Sequence, residues 1–299
     1  TITIGSRESA LAVIQSETVM AAIRKAHPEL TLELLTMKTT GDRILDRTLD
    51  KIGGKGLFVK ELCAALREGR VDLTVHSCKD FPMEEDPDLP LTAFSRREDP
   101  RDVLVLPQGQ TEIDFSKPVG CASLRRSLQF QALYPQAQVA PVRGNVPTRL
   151  RKLDEGQFSA LILAGAGLRR LGLEDRIYRT FSPEEMLPAA GQGILAVQTR
   201  ADFDLSLLAC VDDPDSRDCA RSERSFVRTL DGGCSSPVAA YATVAGSTIT
   251  MEGIYVDEAN RLYRGKISGP REQGPALAAG PALQLKEEAS WAEKERWWG

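Results

Sequence analysis

Val71 to Pro82 reads Val-Asp-Leu-Thr-Val-His-Ser-Cys-Lys-Asp-Phe-Pro, a short apolar run that delivers Lys79 and Asp80 side by side at its carboxyl end. Strand ends of open α/β sheets are where ligands bind, and the loops there carry function. Adjacent cation and carboxylate groups can hold an anion with one member and handle a proton or developing cation with the other. The plainer reading is a solvated turn closed by Pro82, since Asp and Pro are common turn residues. Basic residues at other strand ends weigh against it.

Ser123-Leu-Arg-Arg126 follows an apolar run at Val119. A helix starting there would offer an anion its free N–H groups, its dipole and two guanidiniums. Arg143-Gly-Asn145 stands after the next run in the same way, with Arg149 further on; Arg169-Arg170, and Arg7 with Ser9, extend the set. A lone Arg pair is ordinary surface, but pairs at successive strand ends converge on one cleft. Between Gly120 and Arg179 ten Arg or Lys stand against four Asp or Glu, while the whole chain carries −4. Arginine's planar fork suits carboxylate or phosphate. A locally basic, globally acidic chain points to a small polyanion and not to nucleic acid.

Two glycine-rich stretches fail nucleotide patterns. Gly53-Gly-Lys-Gly56 has Leu57 where a phosphate loop needs Ser or Thr, and Gly165-Ala-Gly-Leu-Arg-Arg lacks the third glycine of a dinucleotide fingerprint. The first remains, with Lys51, Lys55 and Phe58, either an anion-contacting flap or a plain turn before a helix. Leu230-Asp-Gly-Gly-Cys-Ser-Ser-Pro237 holds Cys234 in a tight glycine turn. Most lone cysteines are small buried apolar residues; an exposed thiol in such a turn is a candidate covalent attachment point.

The elements that position these residues alternate. A strand at 1–4, a helix with Ala12, Val13, Ser16, Val19, Met20 and Ile23 on one face, a strand at 31–36, a helix at 57–68 and a strand at 71–75 give a βαβ rhythm and a largely parallel sheet. After a Pro- and acid-rich loop at 82–90, a second block has strands at 102–106, from 119, at 138–142 and at 160–164, with helices from Leu124 and at 146–154. Ser182-Pro-Glu-Glu185 predicts a capped helix start. The apolar stretch 194–197 is expected to return to the first block, making two lobes around a cleft. An antiparallel meander at 239–244, 247–255 and 261–267, then a helix from about Pro275, form a small α+β tail.

At 299 residues, two or three domains are expected. No apolar run approaches the roughly 20 residues that span a bilayer, and the start shows no signal-peptide pattern. Six cysteines lie scattered and only His27 and His76 are histidines, so a metal site or Ser-His-Asp triad is hard to build. A reduced, cytoplasmic and monomeric protein is expected.

Taken in order, Gly-Ser-Arg-Glu-Ser-Ala-Leu-Ala from Gly5, Thr-Gly-Asp-Arg-Ile-Leu-Asp from Thr40, Lys-Ile-Gly-Gly-Lys-Gly-Leu-Phe-Val-Lys-Glu from Lys51, Val-His-Ser-Cys-Lys-Asp, Ser-Leu-Arg-Arg, Arg-Gly-Asn, Leu-Pro-Ala-Ala-Gly-Gln-Gly from Leu187 and Gly-Gly-Cys make the chain resemble the porphobilinogen deaminase (hydroxymethylbilane synthase) family over essentially its full length. The resemblance implies two periplasmic-binding-protein-like lobes, 1–95 with 194–211 and 96–193, and a C-terminal α+β domain, 212–299. It implies a dipyrromethane cofactor held through a thioether at Cys234, onto which four porphobilinogens are condensed before the linear tetrapyrrole is hydrolysed away. Asp80 would be the catalytic acid. Arg7, Ser9, Lys79, Ser123, Arg125, Arg126, Arg143, Arg149 and Arg170 would bind the substrate and cofactor carboxylates, and Lys51, Lys55 and Phe58 would belong to a mobile loop. Uroporphyrinogen-III synthase is the implied downstream partner.

Some positions depart from the family pattern. Cys121-Ala122 replaces the usual Thr-Ser, and Cys78 and Phe81 stand where larger or aliphatic residues are common. Two rival readings remain at this level: a non-catalytic two-lobed dicarboxylate receptor, and a Schiff-base enzyme working through Lys79.

Overall fold

The structure, a computed structural model, describes residues 1–39, 59–231 and 237–298. Lys51, Lys55, Phe58 and Cys234 lie outside the described residues, as does the predicted helix start at Leu57.

The first sheet joins β1 (Ile2–Arg7), β2 (Leu32–Met37), β3 (Leu73–Ser77), β4 (Leu91–Phe94) and β10 (Leu195–Thr199) in the order β2-β1-β3-β10-β4. Helix α1 (Ala10–Ala26) packs on it, capped by Ser9 and buried through Ala12, Ser16, Val19, Met20 and Ile23. Val13 is only half-buried, and polar Gln15 takes an inward place instead. Helix α2 (Lys60–Arg67) stops before Gly69, whose φ of +68° no β-carbon residue adopts readily. Fully buried Ile4, Ile23, Leu73 and Val197 form much of this core. Each such side chain contributes roughly 2 kcal/mol by leaving water.

The sheet is not wholly parallel. β1 pairs in parallel with β2 and β3, whereas β10 runs antiparallel to both β3 and β4. The reason is the route: β10 is supplied by a chain returning from the second sheet, not by a helical crossover within the first.

The second sheet has the order β7-β6-β8-β5-β9, from β5 (Asp102–Val105), β6 (Val119–Gly120), β7 (Val139–Ala140), β8 (Ala160–Ala164) and β9 (Arg179–Thr180). Again the strand arriving from the other lobe, β5, is the antiparallel one. Helices α3 (Leu124–Leu133), α4 (Val146–Asp154) and α5 (Gly165–Arg170) follow β6, β7 and β8. At 182–185 the capping box forms, with Ser182 N–H on Glu185 at 2.9 Å and Glu185 N–H on Ser182 Oγ at 3.3 Å, but only a turn results. Leu187 N–H is taken by Gln129 Oε1 at 2.7 Å, and Pro188 disfavours helical backbone at the residue before it.

Helix α6 (Pro214–Thr229), absent from the sequence reading, precedes the meander β11 (Ala239–Ala245), β12 (Thr248–Val256) and β13 (Leu262–Pro270) and helix α7 (Gly274–Trp298). Asp213 caps α6 and Pro214 opens it. Its buried face includes Ser216, Ser222, Glu223, Arg224 and Ser225, so apolar periodicity does not reveal it.

Candidate active site

β3 ends at Ser77 and passes into a single 3-10 turn, Cys78–Asp80, closed by Phe81 N–H on Cys78 O at 3.3 Å. The turn divides its three side chains: Cys78 is buried, Lys79 half-buried and Asp80 exposed. Asp80 borders a depression shared with Arg7, Gln15, His76, Ser77 and Phe81. Gln15 donates through Nε2 to Ser77 Oγ at 3.0 Å, which explains its inward place on α1. His76 Nε2 lies 2.9 Å from Thr74 Oγ1 and 3.2 Å from Gln198 Oε1, and its ring meets Phe81 edge-on at 4.9 Å. Burial lowers its pKa to about 4, so the ring is neutral at pH 7.

Across from this turn, Asp102 at the start of β5 is fully buried and gathers three donors. Arg125 Nη1 reaches Oδ2 at 2.7 Å, while Arg126 Nε at 2.9 Å and Gln192 Nε2 at 2.8 Å reach Oδ1. Burial alone would raise the pKa of this carboxyl, but the two guanidiniums and the Gln192 amide hold it well below the usual carboxylate range. Gln192 also accepts at Oε1, from Lys79 Nζ at 3.4 Å and Arg126 Nη2 at 3.3 Å. One amide therefore connects the Asp80 turn of the first lobe to the arginine helix of the second. Arg125 also donates to Leu187 O at 2.7 Å, so its guanidinium bonds to Asp102 and Leu187 face the interior of the second lobe.

The remaining cations crowd the same place. Burial is the main reason that the pKa of Lys79 falls to about 8, and nearby Arg126 adds to it against the pull of Asp80. Arg149 falls to about 10, through burial first and then Arg126 and Arg143, with Cys121 and Asp80 opposing. Its Nε donates to Gly144 O at 2.8 Å. Arg126 and Asp80 thus each interact with both Lys79 and Arg149 across the two lobes, and Arg143 lies close enough to Arg149 to add to the crowding. Positive charge is in excess there, which suits a ligand with several carboxylates.

Ser9 and Ser123 serve as helix caps, accepting from Ala12 N–H at 3.4 Å and Arg126 N–H at 3.5 Å. Cys121 is buried and its thiol turns to Ser123 O at 3.4 Å. Arg170 donates to Gly193 O at 2.7 Å, placing it at the chain crossover, and Arg169 pairs with Asp99 at 3.2 Å.

The crossover 191–193 lies in the motif from Leu187, but the bonding of its residues is not evident from the sequence. Gly191 has φ +73° and sits against Cys78, whose sulfur a β-carbon would approach to 2.6 Å; Gly193 has φ +89° and lies against Glu98 O. Gly191 N–H donates to the fully buried Glu223 of α6 at 2.7 Å, and Arg97 grips the same carboxylate at 2.8 and 2.6 Å. The run Leu187–Gly193 was visible as a motif, but nothing in it showed that Gln192 would join the lobes. Asp102 reads as an ordinary acid opening a strand.

Among the described residues no helix is long and apolar enough to cross a membrane, and no His, Cys, Asp and Glu cluster could hold a metal ion.

The family model described as porphobilinogen deaminase, dipyromethane cofactor binding domain, matches residues 2–206, and that of the porphobilinogen deaminase C-terminal domain matches 217–279. Porphobilinogen deaminase of Acetivibrio thermocellus is 57% identical over 95% of this chain and 97% of its own length, and that of Alkaliphilus oremlandii is 58% identical over 96% and 97%. Among solved structures, the BvgS VFT2 domain of Bordetella pertussis covers 70% of this chain and 85% of that one at 18% identity, with a TM-score of 0.42. The chain belongs to the porphobilinogen deaminase family, the hydroxymethylbilane synthases, transferases that condense porphobilinogen on a dipyrromethane cofactor.

Proposed function

We propose that Asp80 is the acid that drives the condensation and that Lys79, Arg126, Arg143 and Arg149 hold the carboxylates of substrate and growing product. The observation that carries this reading is the locus where Asp80 interacts with Lys79, Arg126 and Arg149, drawn from both lobes, with Arg143 beside Arg149. Arg7 shares the depression beside Asp80 and is assigned to the incoming porphobilinogen, with Ser9 at its flank. Ser123 and Arg125 act mainly by fixing α3 and Arg126; Arg170 acts at the crossover. Lys51, Lys55 and Phe58 are assigned to a loop over the site, and the lobe limits to 1–95 with 194–211, 96–193 and 212–299.

The donor set fits the cofactor. Lys79 and Arg149 carry depressed pKa values chiefly through burial and like charge, and an acetate- and propionate-bearing dipyrrole brings anions to a place where such crowding favours them. When attached, through a thioether at Cys234 in this proposal, the dipyrromethane supplies the primer to which four units are added. Asp80 assists protonation of the porphobilinogen amine so that ammonia departs, and its carboxylate then faces the cationic methylene-pyrrole left behind. Aimed at developing positive charge in a partly dry cleft, such a group is worth several kcal/mol in the transition state. The same carboxylate helps remove the pyrrole α-proton after coupling, which restores it for the next unit. Neutral His76 packs behind the turn and adds no competing charge.

A dicarboxylate receptor would need the cations but gives Asp80 no task. We assign the protein to the cytoplasm as a monomer that passes its product to uroporphyrinogen-III synthase. Intact-mass spectrometry tests the cofactor assignment: the purified protein should exceed its sequence mass by one dipyrromethane, and Cys234→Ala should lose the excess. Unmodified mass in active enzyme would overturn it.

A further inference from the structure

We infer that Arg224, on the helix α6, is a positioning residue for Asp80. The inference rests on the reading of Asp80 as the catalytic acid. Arg224 is 4% exposed, and its guanidinium spans the chain just after the catalytic turn. Nη1 donates to Phe81 O at 3.3 Å; Nη2 donates to Pro82 O at 2.5 Å and Met83 O at 3.4 Å, and reaches Glu85 Oε1 at 3.3 Å. The cation also stands over the Phe81 ring, 5.6 Å from its centre.

Three successive carbonyls on one side chain is an unusual arrangement with a local cause. Pro82 has no N–H, so this stretch cannot extend β3 as a full hydrogen-bonded ladder, and its carbonyls need a donor from elsewhere. A planar guanidinium, with five N–H groups in a fixed fork, can serve all three and still pair with Glu85. Asp80 itself is exposed, joined to β3 on one side and to buried Phe81 on the other. From Phe81 onward, Arg224 fixes the backbone through its carbonyls.

The neighbouring residue on α6 completes the device. Glu223 binds Gly191 N–H and Arg97, and so anchors the crossover whose Gln192 holds Lys79 and Arg126. Consecutive residues of one helix turn thus fix the acid on one hand and its partner cations on the other. Movement of α6 relative to the first lobe changes the spacing between Asp80 and the bound carboxylates without removing any group that touches them.

The test is Arg224→Lys, which keeps the charge but cannot span the three carbonyls. The dipyrromethane should still be present by intact mass, KM should stay within about twofold, and kcat should fall roughly tenfold to a hundredfold, the scale of a misplacement near 1 Å. In Arg224→Ala, added methylguanidine should recover part of kcat and leave KM unchanged. Unchanged kcat in Arg224→Lys, or kcat and KM worsening in parallel without rescue, would overturn the inference. Should Arg224→Lys fail to fold or load, Glu85→Ala removes the carboxylate that steadies the guanidinium; kcat should drop roughly threefold at constant KM, as for loss of a partly exposed ion pair, and an unaltered kcat would overturn it. Asp80→Asn in the same assay separates the two levels. Full activity there sinks the acid assignment, whereas an inactive Asp80→Asn beside a normal Arg224→Lys sinks only the positioning role.

Discussion

Replacing Asp102 by Asn removes one charge and leaves two guanidiniums, Arg125 at 4% and Arg126 at 8% exposure, without their common counter-ion. The carboxylate takes bonds of 2.7, 2.9 and 2.8 Å from Arg125, Arg126 and Gln192. An amide offers one accepting oxygen, and its NH2 must point at another donor. Removing one partner of a buried ion pair costs about 3–5 kcal/mol, chiefly because the remaining charge is left buried and unpaired. With total stabilities of about 5–15 kcal/mol, that is a large fraction. For a chain of this size the melting temperature should fall on the order of 10 °C. Calorimetry and urea unfolding at pH 7, read with the double variant Asp102→Asn/Arg125→Met, measure it; the double variant should recover part of the loss. A change under about 1 kcal/mol in the single variant would show that the pair is not the keystone that its burial and bonding imply.

Lys79 gives a pH signature: in Cys234→Ala, which lacks the tether, its amine should reach half-maximal reactivity toward an acylating reagent at about pH 8, and cofactor carboxylates in the loaded enzyme should move that point upward; a midpoint near 10.5 without cofactor would contradict the crowding described. His76 has a folded pKa of about 4 against 6.5 when unfolded, so only the unfolded chain takes up its proton as pH falls between these values. That contribution to stability is complete above pH 6.5 and drops by about 3 kcal/mol toward pH 4; His76→Gln should flatten this limb in pH-dependent unfolding, and an unchanged slope would exclude it.

Parts of this architecture could be read directly from the chain. Helix α4 and strand β8 fall where periodicity places them, because Asn145 caps α4 through Thr148 N–H at 2.9 Å and Pro147 stands in its first turn. The basic residues after β6 and β7 were legible because strand ends and helix starts are local signals. Their partners were not. Asp102 stands 23 residues from Arg125, Gln192 lies 113 residues from Lys79, and Arg224 lies 143 residues from Phe81. Such pairings arise from folding a returning chain, which also makes β10 antiparallel in a first sheet expected to be largely parallel, and β5 antiparallel in the second. Helix α6 escaped notice because its buried face is largely polar, with Glu223 and Arg224 satisfied by distant backbone.

The central claim is that cations from two lobes hold the lengthening pyrrole chain while Asp80 performs the chemistry. Asp80→Asn, mixed with limiting porphobilinogen and followed by intact mass, tests it directly. The account predicts a protein that carries the dipyrromethane yet shows almost none of the stepwise mass additions that the parent accumulates. Additions at a rate near that of the parent would contradict it.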